Sequence, residues 1–124
     1  MATGTIKVSP RRTSLWTNSG SSMSAGTDIN LSSDDYDFLE IEFLRSNSNT
    51  TTVYMQRFPK GYNIALCMTM ATADSTTNTF IQSRGLIRVS DTKYTAEAGV
   101  IARWGGTAST GNFCVPVRIY GIKY

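Results

Sequence analysis

The sequence predicts an all-β protein, a jelly-roll-like antiparallel β-sandwich of seven to nine short strands that forms one domain over residues 1–124. Three observations carry this reading. No stretch repeats apolar residues at the three-and-four spacing of an amphipathic helix with caps at both ends. Short alternating runs recur instead, separated by Gly, Pro, Asn, Asp and Ser at the spacing typical of sandwiches and barrels. Ser and Thr make up about a quarter of the chain, which favours strands and turns. A chain of 124 residues is long enough to remove roughly two-thirds of its unfolded surface from water without metals or disulfides.

Thr5–Val8 is a short first strand, stopped by Pro10, and Arg12–Thr17 is a second. NSGSSMSAGT follows as a polar, turn-rich loop. Asp37–Arg45 (DFLEIEFLR) is the clearest strand, with Leu39, Ile41 and Phe43 facing a core and Glu40 and Glu42 facing water. The polar tip SNSNTTT joins it to Thr52–Phe58 in an antiparallel hairpin, and Pro59–Gly61 turns the chain again. Asn63–Ala71 (NIALCMTMA) is apolar on both faces, the pattern of a strand covered on both sides in the middle of the core.

DSTTN breaks that strand. Phe80–Val89 resumes, and Gly85 at its centre predicts a bulge or a close backbone approach. SDTK turns the chain into Tyr94–Trp104, whose alanines suit a helix but whose Gly99 and β-branched pair favour a strand. After the loop GGTASTGN, the terminal run FCVPVRIYGIKY alternates, with Phe113, Val115, Val117 and Ile119 on one face and Cys114, Arg118 and Tyr120 on the other. Pro116 cannot donate to a ladder, so this strand is expected at a sheet edge or to start at the proline, with one side open to solvent or another chain.

The chemistry is defined by what is missing. With no histidine, the chain lacks the commonest general base and zinc ligand, and every Ser-His or Cys-His nucleophile pair. No phosphate-binding loop is present, because GYNIA and GGTASTG lack the lysine and the strand-turn-helix context. Asp34, Asp35 and Asp37 cluster without the glycine turn and terminal glutamate of a calcium loop, and read as turn residues. Glu40 and Glu42 share a strand face, whereas a glycosidase pair needs a cleft and normally draws on two elements. No enzyme activity, cofactor or metal is expected.

The net charge of +3 is mild and the basic residues are scattered apart from Arg11-Arg12, which is not the footprint of a nucleic-acid binder. MATGTIKVSP lacks the charged-then-apolar design of a signal peptide, and no apolar run is long enough to span a bilayer, so synthesis in a cytoplasm without membrane insertion is expected. Cys67 and Cys114 lie in apolar runs, as buried free thiols or as one disulfide.

Two stretches carry a family resemblance. SLWTNSGSSMSAGTDINLSSDDYDFLEIEF, with a tryptophan before a small polar loop and an INLS step into a strand, and the closing CVPVRIYGIKY resemble the small β-rich modules of tail fibre and baseplate proteins from bacteriophages of Gram-positive hosts. The resemblance covers both ends of the chain and not its middle. It implies a virion protein without enzyme activity, commonly a trimer, that contacts saccharides at the host surface alongside other virion proteins. The alternative is a stand-alone capsid decoration or head-fibre protein acting through protein contacts. On the adhesion reading, Tyr36 with Asp34 and Asp35, and Trp104 with the loop to Asn112, are the candidate ligand-binding residues. Pro116, Tyr120, Ile122 and Tyr124 are the candidate subunit interface. Clustered aromatic and amide residues at one end of the sandwich would favour adhesion, whereas a large apolar patch would favour structural assembly.

Overall fold

The computed structural model describes residues 10–60, 63–71, 79–103 and 105–124. Among them no helix forms, and ten strands make two antiparallel sheets packed as a β-sandwich: β1 (Arg11–Thr17), β2 (Asp28–Asn30), β3 (Phe38–Ser46), β4 (Asn49–Pro59), β5 (Ile64–Ala71), β6 (Phe80–Ser90), β7 (Lys93–Ala96), β8 (Gly99–Arg103), β9 (Ser109–Gly111) and β10 (Phe113–Lys123). The first sheet runs β1-β10-β3-β4. The second runs β2-β7-β6-β8-β9, with β5 added along β6. β7 and β8 lie end to end on one side of β6, pairing with its C-terminal and N-terminal halves respectively, while β5 covers the other side.

The strand count exceeds the expected seven to nine for two reasons. The predicted Tyr94–Trp104 strand is interrupted at Glu97, where it splits into β7 and β8, and two three-residue strands lie outside the expected set: β2, in the unassigned stretch after the NSGSSMSAGT loop, and β9, inside the loop GGTASTGN. Strands this short carry too little alternation to register in a sequence pattern. The expected Thr5–Val8 strand lies outside the described residues. The β3–β4 hairpin forms as its pattern requires, with Leu39, Ile41 and Phe43 buried against the opposite sheet.

Two expectations are corrected. β10 is not an edge strand, since it pairs with β1 on one side and β3 on the other. Pro116 is accommodated because Val117 is an extra residue opposite β3, a bulge that pairs Pro116 with Phe43 and Ile119 with Ile41. That bulge also breaks the predicted alternation, placing Pro116 and Ile119 on the same inner face. On the other side, β1 pairing stops at Arg118, and Asn18 closes the gap with its amide to Val117 O (2.8 Å) and its side chain to Pro116 O (3.0 Å).

The second correction concerns β5. It is an edge strand bonded to β6 alone, and only one of its faces is covered. Gly85 stays in register with Leu66, and no bulge interrupts β6 there. The close approach expected at Gly85 comes from the Glu97 side chain, which lies across it.

Candidate functional site

The candidate residues fall at opposite ends of β10. Tyr36 lies beside its C-terminal end: Asp37 N donates to Ile122 O (2.8 Å), and Tyr124 N donates to Asp37 Oδ2 (2.8 Å). Asn112 directly precedes its first residue. Eleven extended residues at about 3.3 Å each separate the two, so they do not form one surface. Trp104 lies outside the described residues.

At the Tyr36 end, Arg11, Thr13, Asp35, Tyr36 and Lys123 line a cleft of about 360 Å³. The Tyr36 ring sits directly over Gly121, whose missing side chain makes the space. Gly121→Ala is therefore expected to push the ring out of the cleft wall and cost about 1–3 kcal/mol in a urea titration. An unchanged midpoint would show that the ring is not held there. Asp34 is engaged elsewhere, its carbonyl accepting from Lys60 Nζ (3.1 Å) and its carboxylate from Arg88 (3.4 Å). The three clustered aspartates thus lie apart in function: Asp34 holds Lys60 and Arg88, Asp37 accepts from Tyr124 N, and Asp35 lines the cleft.

Asn112 is committed to the fold. Its Oδ1 accepts from Met23 N (3.0 Å) and its carbonyl from Asn47 N (3.1 Å), which ties the loop after β1 and the β3–β4 turn to the start of β10.

The expected subunit interface is also largely consumed within the chain. Pro116 and Ile122 are fully buried in this fold, so neither can meet a neighbouring subunit. Tyr120 lies under the Arg12 guanidinium, 3.5 Å from the ring centre. Tyr124 alone stays open, 58% exposed, with its hydroxyl accepting from Arg57 (3.2 Å) and its ring edge-on to Phe38. The apolar C-terminus is covered by its place as an inner strand of the first sheet.

The outward faces of the two sheets differ in kind. On the first, Arg12 bridges Glu40 Oε1 (2.9 Å) and Glu42 Oε1 (2.8 Å), Arg57 takes Glu40 Oε2 (3.0 Å), and Arg118 takes Glu42 Oε2 (2.5 Å). All four carboxylate oxygens are occupied. Glu40, read from the sequence as solvated, is only 4% exposed because arginines cover it. Hydrogen bonding to Glu42, followed by its charge, holds the Arg118 guanidinium more firmly protonated.

On the second sheet, alternate residues of β5 (Ile64, Leu66, Met68, Met70) and of β6 (Ile81, Ile87, Val89) stand exposed, up to 72% at Met70. Val100 and Ala102 of β8, paired with Ser83 and Ile81, continue the face. The sequence carries the signal of this surface, but a strand apolar on both sides reads as fully enclosed.

Between the sheets, Arg84 is 1% exposed without a carboxylate partner among the described residues. It donates to the carbonyls of Glu97 (2.7 Å), Phe113 (3.0 Å), Cys114 (3.2 Å) and Gly111 (3.4 Å). Cys67 and Cys114 are free and buried nearby. Burial pushes both thiols up, Cys114 to about 11, with hydrogen bonding to Thr69 and the Arg84 charge pulling Cys114 the other way.

The folded state thus keeps thiol protons that the unfolded chain releases near about 8.5. Stability from this source is complete below that value and is lost as pH rises toward 11. The urea midpoint is expected to fall between pH 8.5 and 10.5, and a thiol-specific chromophore at pH 8 to label the native protein barely and the unfolded protein at both cysteines. Rapid native labelling would contradict the burial.

Comparison with known protein families, curated proteins and solved structures found no match to this chain, so its function is read from its own chemistry.

Proposed function

We propose that this chain is a non-enzymatic structural protein of a bacteriophage particle, of the capsid decoration or head-fibre kind, that works by docking to protein through the outer face of its second sheet. The observation that carries this reading is the largely apolar outer surface of β5, β6 and β8, interrupted on β6 by Ser83 and by Gly85 under the Glu97 side chain. Monomeric soluble proteins rarely leave a contiguous apolar patch of this extent open. The outward glutamates, which a hydrolytic site would need free, are bound by arginines on every oxygen. The likeness of both chain ends to phage modules supplies the particle.

Gold-labelled antibody on intact particles, viewed by electron microscopy, tests the reading. Label over the head is expected, and absence of label from every particle would overturn it. Label at the tail tip would favour the second reading, a tail-fibre module that binds host glycan. One observation supports that second reading, the polar cleft that gathers Asp35 and Tyr36 with Arg11 and Lys123. Its sign would be binding on a glycan array that Tyr36→Ala abolishes.

A further inference from the structure

We infer that the occupant of this apolar face is a second copy of the chain, packed face to face about a two-fold axis. The inference rests on the docking role proposed above and names its partner.

The first argument is area. The exposed apolar side chains of β5 and β6 present on the order of 600 Å² per subunit, near the top of what monomers expose and close to the ~800 Å² per partner of a stable interface. The second is charge. The chain carries +3, so two copies repel in general, yet the exposed β5–β6 residues of the strip include no lysine or arginine. The Glu97 side chain reaches over Gly85 on this face, Arg103 stands at its Ala102 end, and the Lys93–Asp28 pair lies beyond at the margin. One charge of each sign on this face leaves it without the net positive charge of the whole chain, so self-repulsion is smaller where it meets its copy.

The third argument is geometry. An edge strand such as β5 would ordinarily recruit a partner through its open backbone. Here Gln56 of β4 accepts the Met68 N–H (2.9 Å), which occupies the middle of that edge and disfavours edge-to-edge extension. What remains is stacking of faces, the arrangement by which two sheets bury their side chains about 10 Å apart. A single patch that meets itself closes as a two-fold dimer, whereas a ring of three needs two complementary patches. Methionines at 68 and 70 suit such a contact, since their flexible thioethers conform to an opposing surface. At one end of the strip, Met70, Phe80, Ile81 and Ala102, with Thr79 and Arg103 at the rim, frame a mostly apolar cleft of about 320 Å³, open to a side chain from the partner.

Sedimentation equilibrium of the full chain at about 100 µM, above the micromolar affinity of the weaker interfaces of standard size, tests the inference. The expected mass is twice the 13.6 kDa of one chain. The double variant Leu66→Glu, Met68→Glu replaces side chains that are 45% and 47% exposed, so its circular dichroism should match wild type while its mass halves. Ile87→Lys, on the neighbouring strand, should also give monomer. A wild-type monomer overturns the dimer, and so does a dimer that both variants leave intact. Scoring the same variants for incorporation into particles separates this inference from the reading beneath it. Monomeric wild type with incorporation lost in the variants means another particle protein covers the face. Incorporation unaffected by the variants sinks the docking role itself.

Discussion

Replacing Arg84 with methionine is expected to destabilise the fold by about 3 kcal/mol, the net of two opposing terms. Methionine fills nearly the same volume and removes the cost of holding a charge away from water, which alone would stabilise. It also leaves the carbonyls of Glu97, Gly111, Phe113 and Cys114 without the donor that reaches them, at about 1–3 kcal/mol for each one left unsatisfied. The second term wins because a single fork serves four acceptors. Burial pulls the Arg84 pKa down, while the neighbouring thiol groups of Cys114 and Cys67 oppose the shift, and a guanidinium remains charged under all ordinary conditions.

The same contacts hold Cys114 at a φ of 47°, a left-handed conformation that a non-glycine residue keeps only where its surroundings enforce it. Loss of Arg84 should therefore loosen the start of β10 first. Equilibrium urea unfolding gives the magnitude, and amide exchange at residues 111–115 locates the effect. Arg84→Lys should recover little, since an ammonium cannot match the planar fork. A midpoint change worth under about 1 kcal/mol would show that water replaces the guanidinium.

The second large effect is expected at Gly99. A side chain there would meet Phe113 O at 2.6 Å and Phe113 N at 2.7 Å, as well as the carbonyl of Gly111, and these are backbone atoms that cannot swing aside. Gly99→Ala is expected to cost about 3 kcal/mol, the upper end for overpacking, and Gly99→Val more. The contact joins β8 to β9 and to the first residue of β10, the same junction that Arg84 ties from within. The two substitutions should therefore be non-additive, and the double variant Arg84→Met, Gly99→Ala should lose less than the sum of the singles. Strict additivity would show that the junction is not one cooperative unit.

Much of the fold was legible because local alternation is a local property. DFLEIEFLR could face only one way, and its hairpin partner followed from the polar tip between them. β10 was legible as a strand, but its place was not. Pro116 argued for an edge, yet a bulge at Val117 let an inner strand carry a proline, and nothing in a linear pattern announces a bulge. β2 and β9 were invisible because three residues are too few to show a period. The site candidates fared according to the same distinction. Tyr36 and Asp35 do line a cleft, whereas Asn112 lies at the far end of an eleven-residue strand and serves as a loop clamp.

By itself the sequence determined the all-β class, most strand positions, the inward face of β3 and the lack of any histidine-based chemistry. These follow from residue type and from a period of two, which neighbours along the chain are enough to set. Tertiary structure alone decided that β10 is an inner strand, that Arg84 is buried among carbonyls, that the outward glutamates are locked by arginines, and that β5 stands at an edge with one apolar face uncovered. Strand order is set by long-range pairing. An apolar residue reads the same whether its cover comes from its own chain or from another molecule, and the difference appears only when the outer side of the second sheet is seen without a strand or sheet packed on it among the described residues.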